Sequence, residues 1–459
     1  MVFSSTVFLF IFLPALLAVY HVVPRILKNY VLLVASIAFY AWGEPKNVFI
    51  MLLSIVVNYI LGLLVERFNK QKKVFLVLAV VYNLAMLFVF KYLNFSVGII
   101  NTIFRSNVQI AQIALPIGIS FYTFQILSYV IDVYRGEVKV QKNFFHLALY
   151  VSLFPQLIAG PIVRYSDVEK QIVDRKVDLN KFREGAIRFC VGFSKKVLIA
   201  DQVAGYVDQI FGGAYPSIIS YWVGIIAYSL QIFFDFSGYS DMAIGLGKMF
   251  GFDFLENFNY PYISQSVQEF WRRWHISLSS WFRDYLYIPL GGNRKGTVRT
   301  YINLCIVFFM TGLWHGASFN FIVWGLFYAV FLVIERLGFK NVLAKLPRAI
   351  RHLYAILVAM FGWIFFRAET LTAALQYIKG MFVLQGKDFA KFVFVINPMY
   401  IFFIVVGIIF CMPHNKIKDL VNKHEATMII ADFVKVLVFA LAISYMLGSG
   451  FSPFLYFRF

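Results

Sequence analysis

Two histidines in apolar surroundings are the residues with the clearest chemistry in this chain. His315 lies in "MTGLWHGASFN", residues 310–320, inside a run from Tyr301 to Ile334 that holds no Lys, Arg, Asp or Glu. Desolvation lowers an imidazole's pKa and keeps it neutral, the state a general base needs. His315 is therefore either a proton handler or a structural hydrogen-bond partner. Gly312 and Gly316 form a small-xxx-small pair that lets another backbone or a thin acyl chain approach this turn. His275 lies in "QEFWRRWHIS", residues 268–277. Ser266 and Glu269 have capping-box spacing, which predicts a helix from near Val267 to before Pro289 and the Gly291-Gly292 pair. On that helix Trp271, Trp274, Leu278, Trp281, Phe282 and Tyr285 share one face, and Arg272, Arg273, Ser280, Arg283 and Asp284 the other. Such a helix suits a membrane interface. His275 falls on its apolar face, where a buried histidine held by one hydrogen bond is the plain alternative to a functional one.

Other chemistries find less support. "QIFFDFSGYSDMAIGLGKMFGFD", followed by "ENFNYPY", puts Asp235 and Asp241 in or beside an apolar helix, where pairing with arginines or backbone groups is expected. Ser237 and Ser240 lack the G-x-S-x-G elbow of a serine nucleophile. The histidines have no H-E-x-x-H or other close ligand spacing and no Cys-x-x-Cys occurs, so no metal site is expected. No P-loop or dinucleotide-binding glycine pattern is present, which argues against ATP hydrolysis by this chain. Cys190, Cys305 and Cys411 are odd in number and far apart and read as reduced core residues.

The elements that position these groups are membrane helices. The 459 residues are 61% hydrophobic, 19% aromatic and only 14% charged, a composition that cannot cover a soluble surface. On such a protein the net charge of +19 reports cytoplasmic loops rather than nucleic-acid binding, and a basic cytoplasmic face also attracts an anionic cofactor. "TVFLFIFLPALLAVYHVVP" has no basic residue before it and no small-residue cleavage site after it, so it reads as a retained span. Arg25 and Lys28 follow the first span, Arg67, Lys70, Lys72 and Lys73 the third, and Arg135, Lys139 and Lys142 the fifth. That alternation predicts an N-terminus outside and these loops in the cytoplasm. Residues 144–162, "FFHLALYVSLFPQLIAGPI", are basic on both flanks and broken by Pro155, Gly160 and Pro161, which predicts a re-entrant hairpin. Further apolar runs near 186–199, 217–236, 301–335, 350–366, 396–412 and 427–448 complete the pattern. The fold expected is all-α and polytopic, with about eleven spans. No long soluble segment or repeat divides residues 1–459, which read as a single membrane domain.

Eight blocks then stand in order: "MVFSSTVFLFIFLP", "FYAWGEP", "LPIGISFYTFQ", "FPQLIAGPIVRY", "FDFSGYSDMAIGLGKMFGF", "FNYPY", "EFWRRWHISLSSWFRDYLYIPLGGNRKG" and "GLWHGASFNFIVWG". Together they resemble the membrane-bound O-acyltransferase family in its bacterial alginate O-acetyltransferase branch. The resemblance runs from residue 1 to about 335 and more weakly beyond. It implies that His315 is the catalytic histidine and His275 the second histidine of this branch. It also implies helices around a thin central region with a funnel reaching His315, which suits the re-entrant segment. The implied donor is acetyl-coenzyme A from the cytoplasm, a substrate rather than a resident cofactor. The implied acceptor is an extracytoplasmic polysaccharide, reached with a separate extracytoplasmic acetyltransferase partner, and the implied location is the inner or plasma membrane of a bacterium.

Joined to the residues, this gives His315 as general base on an attacking hydroxyl, or alternatively as a covalent acetyl relay. His275 orients or polarises the thioester, and both histidines face one tunnel. Arg272, Arg273, Arg283, Arg294 and Lys295 supply positive charge for coenzyme A phosphates, or anchor lipid headgroups. Three rivals remain. A teichoic-acid D-alanyl transferase shares the family but takes its acyl group from a carrier protein. A transporter or flippase predicts midplane charges and repeated halves, neither of which is evident. A noncatalytic scaffold of a polysaccharide export complex predicts that His315 tolerates replacement.

Overall fold

The structure is a computed structural model that describes residues 1–213, 216–383, 398–421, 423–449 and 454–455. Its regular structure among these residues is helical, and the chain contacts divide it into two compact units: residues 1–189 with 242–255, and residues 190–241 with 256–459. Among the described residues eight helices are long and apolar enough to cross a membrane, and two shorter apolar helices, Phe8–Val22 and Pro398–Phe410, accompany them.

The first unit opens with α1 (Phe8–Val22), α2 (Arg25–Gly43), α3 (Val48–Arg67) and α4 (Asn69–Phe104). Buried Asn58 and Asn83 exchange amide hydrogen bonds between α3 and α4, at 2.7 and 3.3 Å. Such reciprocal pairs fix helix register where lipid offers no partner. Next comes α5 (Ile119–Arg135), entered through Gly118 at φ +78°, where a Cβ would stand 2.8 Å from the Leu157 carbonyl oxygen. Then α6 (Phe144–Ser152) and α7 (Phe154–Leu157) form the interrupted segment that the prolines predict. Neither is long enough to cross a bilayer, and their residues are buried from Leu147 onward. Within it Tyr150 donates to the Val163 carbonyl at 3.0 Å, and the Phe154 N–H donates to Ser36 Oγ at 3.1 Å. The unit continues with α8 (Tyr165–Val173) and the first part of α9 (Leu179–Lys195). The apolar run near 186–199 thus belongs to an amphipathic helix, because Lys181, Arg183, Glu184 and Arg188 share its length.

The second unit holds α10 (Asp201–Phe211), most of α11 (Ile218–Met249), α12 (Val267–Arg273), α13 (Ile276–Phe282), α14 (Thr297–His315) and α15 (Phe319–Ile334). It closes with α16 (Lys340–Lys345), α17 (Arg348–Arg367), α18 (Leu371–Gly380), α19 (Pro398–Phe410), α20 (Asn415–Val421) and α21 (Glu425–Ser449). Asp235 and Asp241 do pair internally: Asp235 meets Lys196 at 2.8 Å and accepts from the backbone Leu455 N–H at 2.8 Å, and Asp241 meets Lys195 at 2.6 Å. All three cysteines are free thiols; Cys411 is buried, while Cys190 and Cys305 are half-buried.

Candidate active site

The stretch around His275 is not one helix. α12 ends at Arg273, Trp274 is extended, and His275 takes a left-handed conformation, φ +44° and ψ +55°, as the residue before α13. The single helix expected from Val267 to Pro289 is corrected here, because a helical wheel carries no signal of a break between two short helices. Two backbone bonds impose the break. The Asn259 N–H donates to the Arg273 carbonyl at 2.9 Å, and the Ile276 N–H to the Asn257 carbonyl at 3.0 Å. An L-residue held at positive φ costs on the order of 1 kcal/mol or more and persists only where neighbours over-determine it. The capping box does form at the start of α12, with the Glu269 N–H donating to Ser266 Oγ at 3.0 Å. Glu335 reinforces it by accepting from the Val267 and Gln268 N–H groups at 2.6 and 3.1 Å.

His275 is 1% exposed, and its ring stands edge-on to Phe236 with centroids 4.7 Å apart. Asn257, equally buried, organises the polar side of that ring. Its Oδ1 accepts from the Ser277 N–H at 3.2 Å and from Ser277 Oγ at 2.9 Å, while its Nδ2 donates to Ser240 Oγ at 3.1 Å. Since a backbone N–H only donates, the Asn257 atom facing Ser277 is the oxygen. That same oxygen stands 3.1 Å from His275 Nδ1, so Nδ1 bears the proton and Nε2 is the ring's acceptor nitrogen. Desolvation pushes the His275 pKa down to about 3, which keeps the ring neutral in this form.

His315 closes α14 and is 4% exposed. Rings of Trp314, Trp324 and Phe366 approach it with centroids at 5.0, 4.9 and 5.2 Å. Its centroid lies 6.5 Å from that of His275, so residues forty positions apart meet in one buried place. The α14–α15 crossing that carries His315 depends on two glycines: a Cβ on Gly312 would collide with the Phe321 carbonyl oxygen, and one on Gly325 with that of Phe308. Gly316 serves differently, since a Cβ there would strike the Phe321 ring.

Beside this pair a cavity of about 280 Å³ opens in the second unit. Neither histidine lines it. Trp271 and Thr311 do, and Trp271 packs on Trp324 at 5.7 Å, which packs in turn on His315. Of the five basic residues singled out in the sequence, Arg272 and Arg283 line the cavity, and both are exposed. Arg283 also pairs with Asp284 at 2.6 Å. Arg273 is committed elsewhere, to Glu269 at 2.9 Å and to the Asn259 carbonyl at 3.1 Å. Arg294 and Lys295 are exposed and outside the lining. Arg336 and Lys340, which follow α15 and were passed over in the sequence, join Arg272 and Arg283 there. Asn257 was passed over too; its only signal was a place in the polar "ENFNYPY" block between apolar helices.

The family model described as MBOAT, membrane-bound O-acyltransferase family, matches residues 137–375, an interval that holds Asn257 and both histidines. The chain is 48% identical to a probable alginate O-acetylase of Azotobacter vinelandii, over 83% of this chain and 78% of the relative. It is 36% identical to a peptidoglycan O-acetyltransferase of Helicobacter pylori, over 84% of this chain and 80% of that one. A teichoic acid D-alanyltransferase of Bacillus subtilis is 30% identical over 47% of this chain and 58% of its own.

Proposed function

Since the chain belongs to the membrane-bound O-acyltransferase family, as a multi-pass O-acyltransferase of its alginate O-acetyltransferase branch in a bacterial membrane, we propose that it transfers acetyl from cytoplasmic acetyl-coenzyme A for O-acetylation of an extracytoplasmic polysaccharide. The observation that carries this reading is the meeting of two buried imidazoles with ring centroids 6.5 Å apart. His315 takes the proton of the attacking hydroxyl, either of the acceptor or of an extracytoplasmic acetyltransferase partner. The hydroxyl oxygen forms the new ester bond to the acetyl carbonyl carbon, the carbon–sulfur bond breaks, and the coenzyme A thiolate leaves and recovers the proton through the imidazole. His275, a neutral ring with its Nδ1–H held by Asn257, orients the thioester. The cavity rimmed by Arg272, Arg283, Arg336 and Lys340 takes the donor's phosphates. Binding of the donor then has to displace the Trp271 and Trp324 rings for the thioester to reach the histidines.

The greater identity and coverage of the acetylating relatives support acetyl over D-alanyl transfer. The test is alkali-releasable acetate on the surface polysaccharide of wild type, a deletion strain, and a His315→Ala strain with membrane expression verified by blot. Acetate should vanish in both mutant strains. Acetate that survives in His315→Ala but not in the deletion would make the chain a scaffold, and no change in either would sink the acetyl assignment.

A further inference from the structure

In the first unit α1 ends at Val22 and α2 begins at Arg25, so Tyr20, Arg25, Lys28 and Asn29 gather at one end of two apolar helices. Helix ends of this kind lie where hydrocarbon gives way to headgroups. The chain leaving α8 brings Arg175 and Lys176 to the same place, and these six residues line a cavity of about 340 Å³. Asp174 and Asp178 line it as well, and both are exposed.

Arg175 is held as if for a ligand. Its Nε donates to Tyr20 Oη at 3.2 Å and to the Phe250 carbonyl at 3.0 Å, and Nη1 donates to Asn29 Oδ1 at 2.6 Å. Its guanidinium carbon lies 4.3 Å over the Phe252 ring. Gly251, at φ +91°, makes room for the stem: a Cβ there would stand 3.2 Å from Arg175 Cδ. Every one of these fixed partners is neutral. Nη2, the remaining corner of the fork, is buried and has no hydrogen-bond partner among the described residues. Burial pulls the Arg175 guanidinium below its ordinary range, with Tyr20 offsetting part of the effect. Around it the ion pairs join other residues, Lys181 to Asp253 and Lys248 to Glu184, while no carboxylate pairs with Arg25, Lys28, Arg175 or Lys176 among the described residues. A desolvated cation such as Arg175 is costly without a counter-charge, and four cations converging on one hollow at a helix end call for an anion.

We propose that this cavity is a phosphate-binding site, filled by the headgroup phosphate of an anionic membrane lipid. Arg25, Lys28 and Lys176 donate to phosphate oxygens, and the Arg175 guanidinium, fixed by its neutral partners, supplies charge beside them. The helix-end position selects a lipid over a soluble ester, and the same chemistry would accept either.

The test uses the purified full chain in detergent, with the unfolding midpoint followed during titration with phosphatidylglycerol, with diacylglycerol, or with inorganic phosphate. Phosphatidylglycerol should raise the midpoint saturably and diacylglycerol should not. The Lys28→Gln/Lys176→Gln double variant touches no hydrogen bond that holds the fold, and it should weaken the apparent affinity by on the order of tenfold or more. Arg175→Ala, which also removes structural bonds, is read only if its unliganded midpoint matches wild type. Saturable stabilisation by inorganic phosphate with the same sensitivity to the double variant keeps the phosphate site and assigns it a soluble ligand. The proposal is overturned if no phosphate compound stabilises the protein saturably, or if the double variant binds as wild type does.

Discussion

His275 and His315 stand side by side but are held by unlike means. Rings that pack edge to face fix the plane of an imidazole, whereas hydrogen bonds fix which nitrogen carries the proton. Trp314, Trp324 and Phe366 do the first for His315. Asn257 does the second for His275, from a backbone so constrained that the histidine sits at positive φ. A group that must pick up and return a proton is better served by the first arrangement, and a group that must present one fixed face to a carbonyl by the second. The proposed division of labour follows from that contrast, with His315 as base and His275 as orienting group.

The largest expected effect is at His315. Replacement by Ala should lower acetyl transfer by about 10²–10⁴-fold at equal amounts of folded protein, the range for loss of a positioned general base. Thioester consumption by the purified protein measures it. The contrast fails if the loss is only severalfold. Asn257 is next. Asn257→Ala removes the acceptor for His275 Nδ1 and Ser277, and a loss of about 1–3 kcal/mol corresponds to roughly fivefold to 150-fold in rate. Asn257→Asp separates orientation from packing. The carboxylate keeps the acceptor but stabilises the imidazolium, so the His275 pKa rises from about 3. His315 on α14 is the titratable group facing it; Phe236 on α11 and Ser277 on α13 carry no charge. Activity of the Asn257→Asp variant should therefore fall as pH drops through the raised pKa, a limb absent from wild type at the same pH. A pH–rate profile identical to that of wild type would mean that Asn257 does not act through His275.

How much of this was legible in the sequence differs between the same two regions. Membrane character follows from composition, and the helix break within residues 144–162 from Pro155, Gly160 and Pro161, because backbone chemistry is written directly in those residue types. The "GLWHGA" turn stood out as a candidate because it places a histidine in an uncharged run with small residues beside it. The break at His275 was hidden, since the backbone pairing that causes it comes from residues 257–259, and periodicity sees only neighbours along the chain. Asn257 was hidden for the same reason, as was the convergence of Arg336 and Lys340 on Arg272.

The crossing that carries His315 offers a stability test. Gly312→Ala forces α14 and α15 apart against the Phe321 carbonyl, an overpacking that costs about 1–3 kcal/mol. The unfolding midpoint should fall, and activity should fall with it, since His315 lies at the end of the displaced helix. Gly316→Ala meets a side-chain ring that can turn aside, so its midpoint should fall less. Equal effects at the two glycines would mean that backbone contact does not set the crossing.

The smallest expected effect separates two adjacent arginines. Arg272 lines the cavity, while Arg273 is tied to Glu269 and to the Asn259 carbonyl. An exposed rim charge acts mainly on encounter with a charged ligand and is screened by salt. Arg272→Gln should therefore raise KM for the acetyl donor severalfold at low salt, leave kcat close to wild type, and lose its effect as salt rises toward about 1 M, where the Debye length is near 3 Å. Arg273→Gln should do the reverse. It leaves the salt dependence intact but loosens the Asn259–Arg273 pairing that bends the chain into His275, so its cost should appear in kcat. If both variants change KM alike and with the same salt response, the two arginines share the donor rim and the separate role given to Arg273 is wrong.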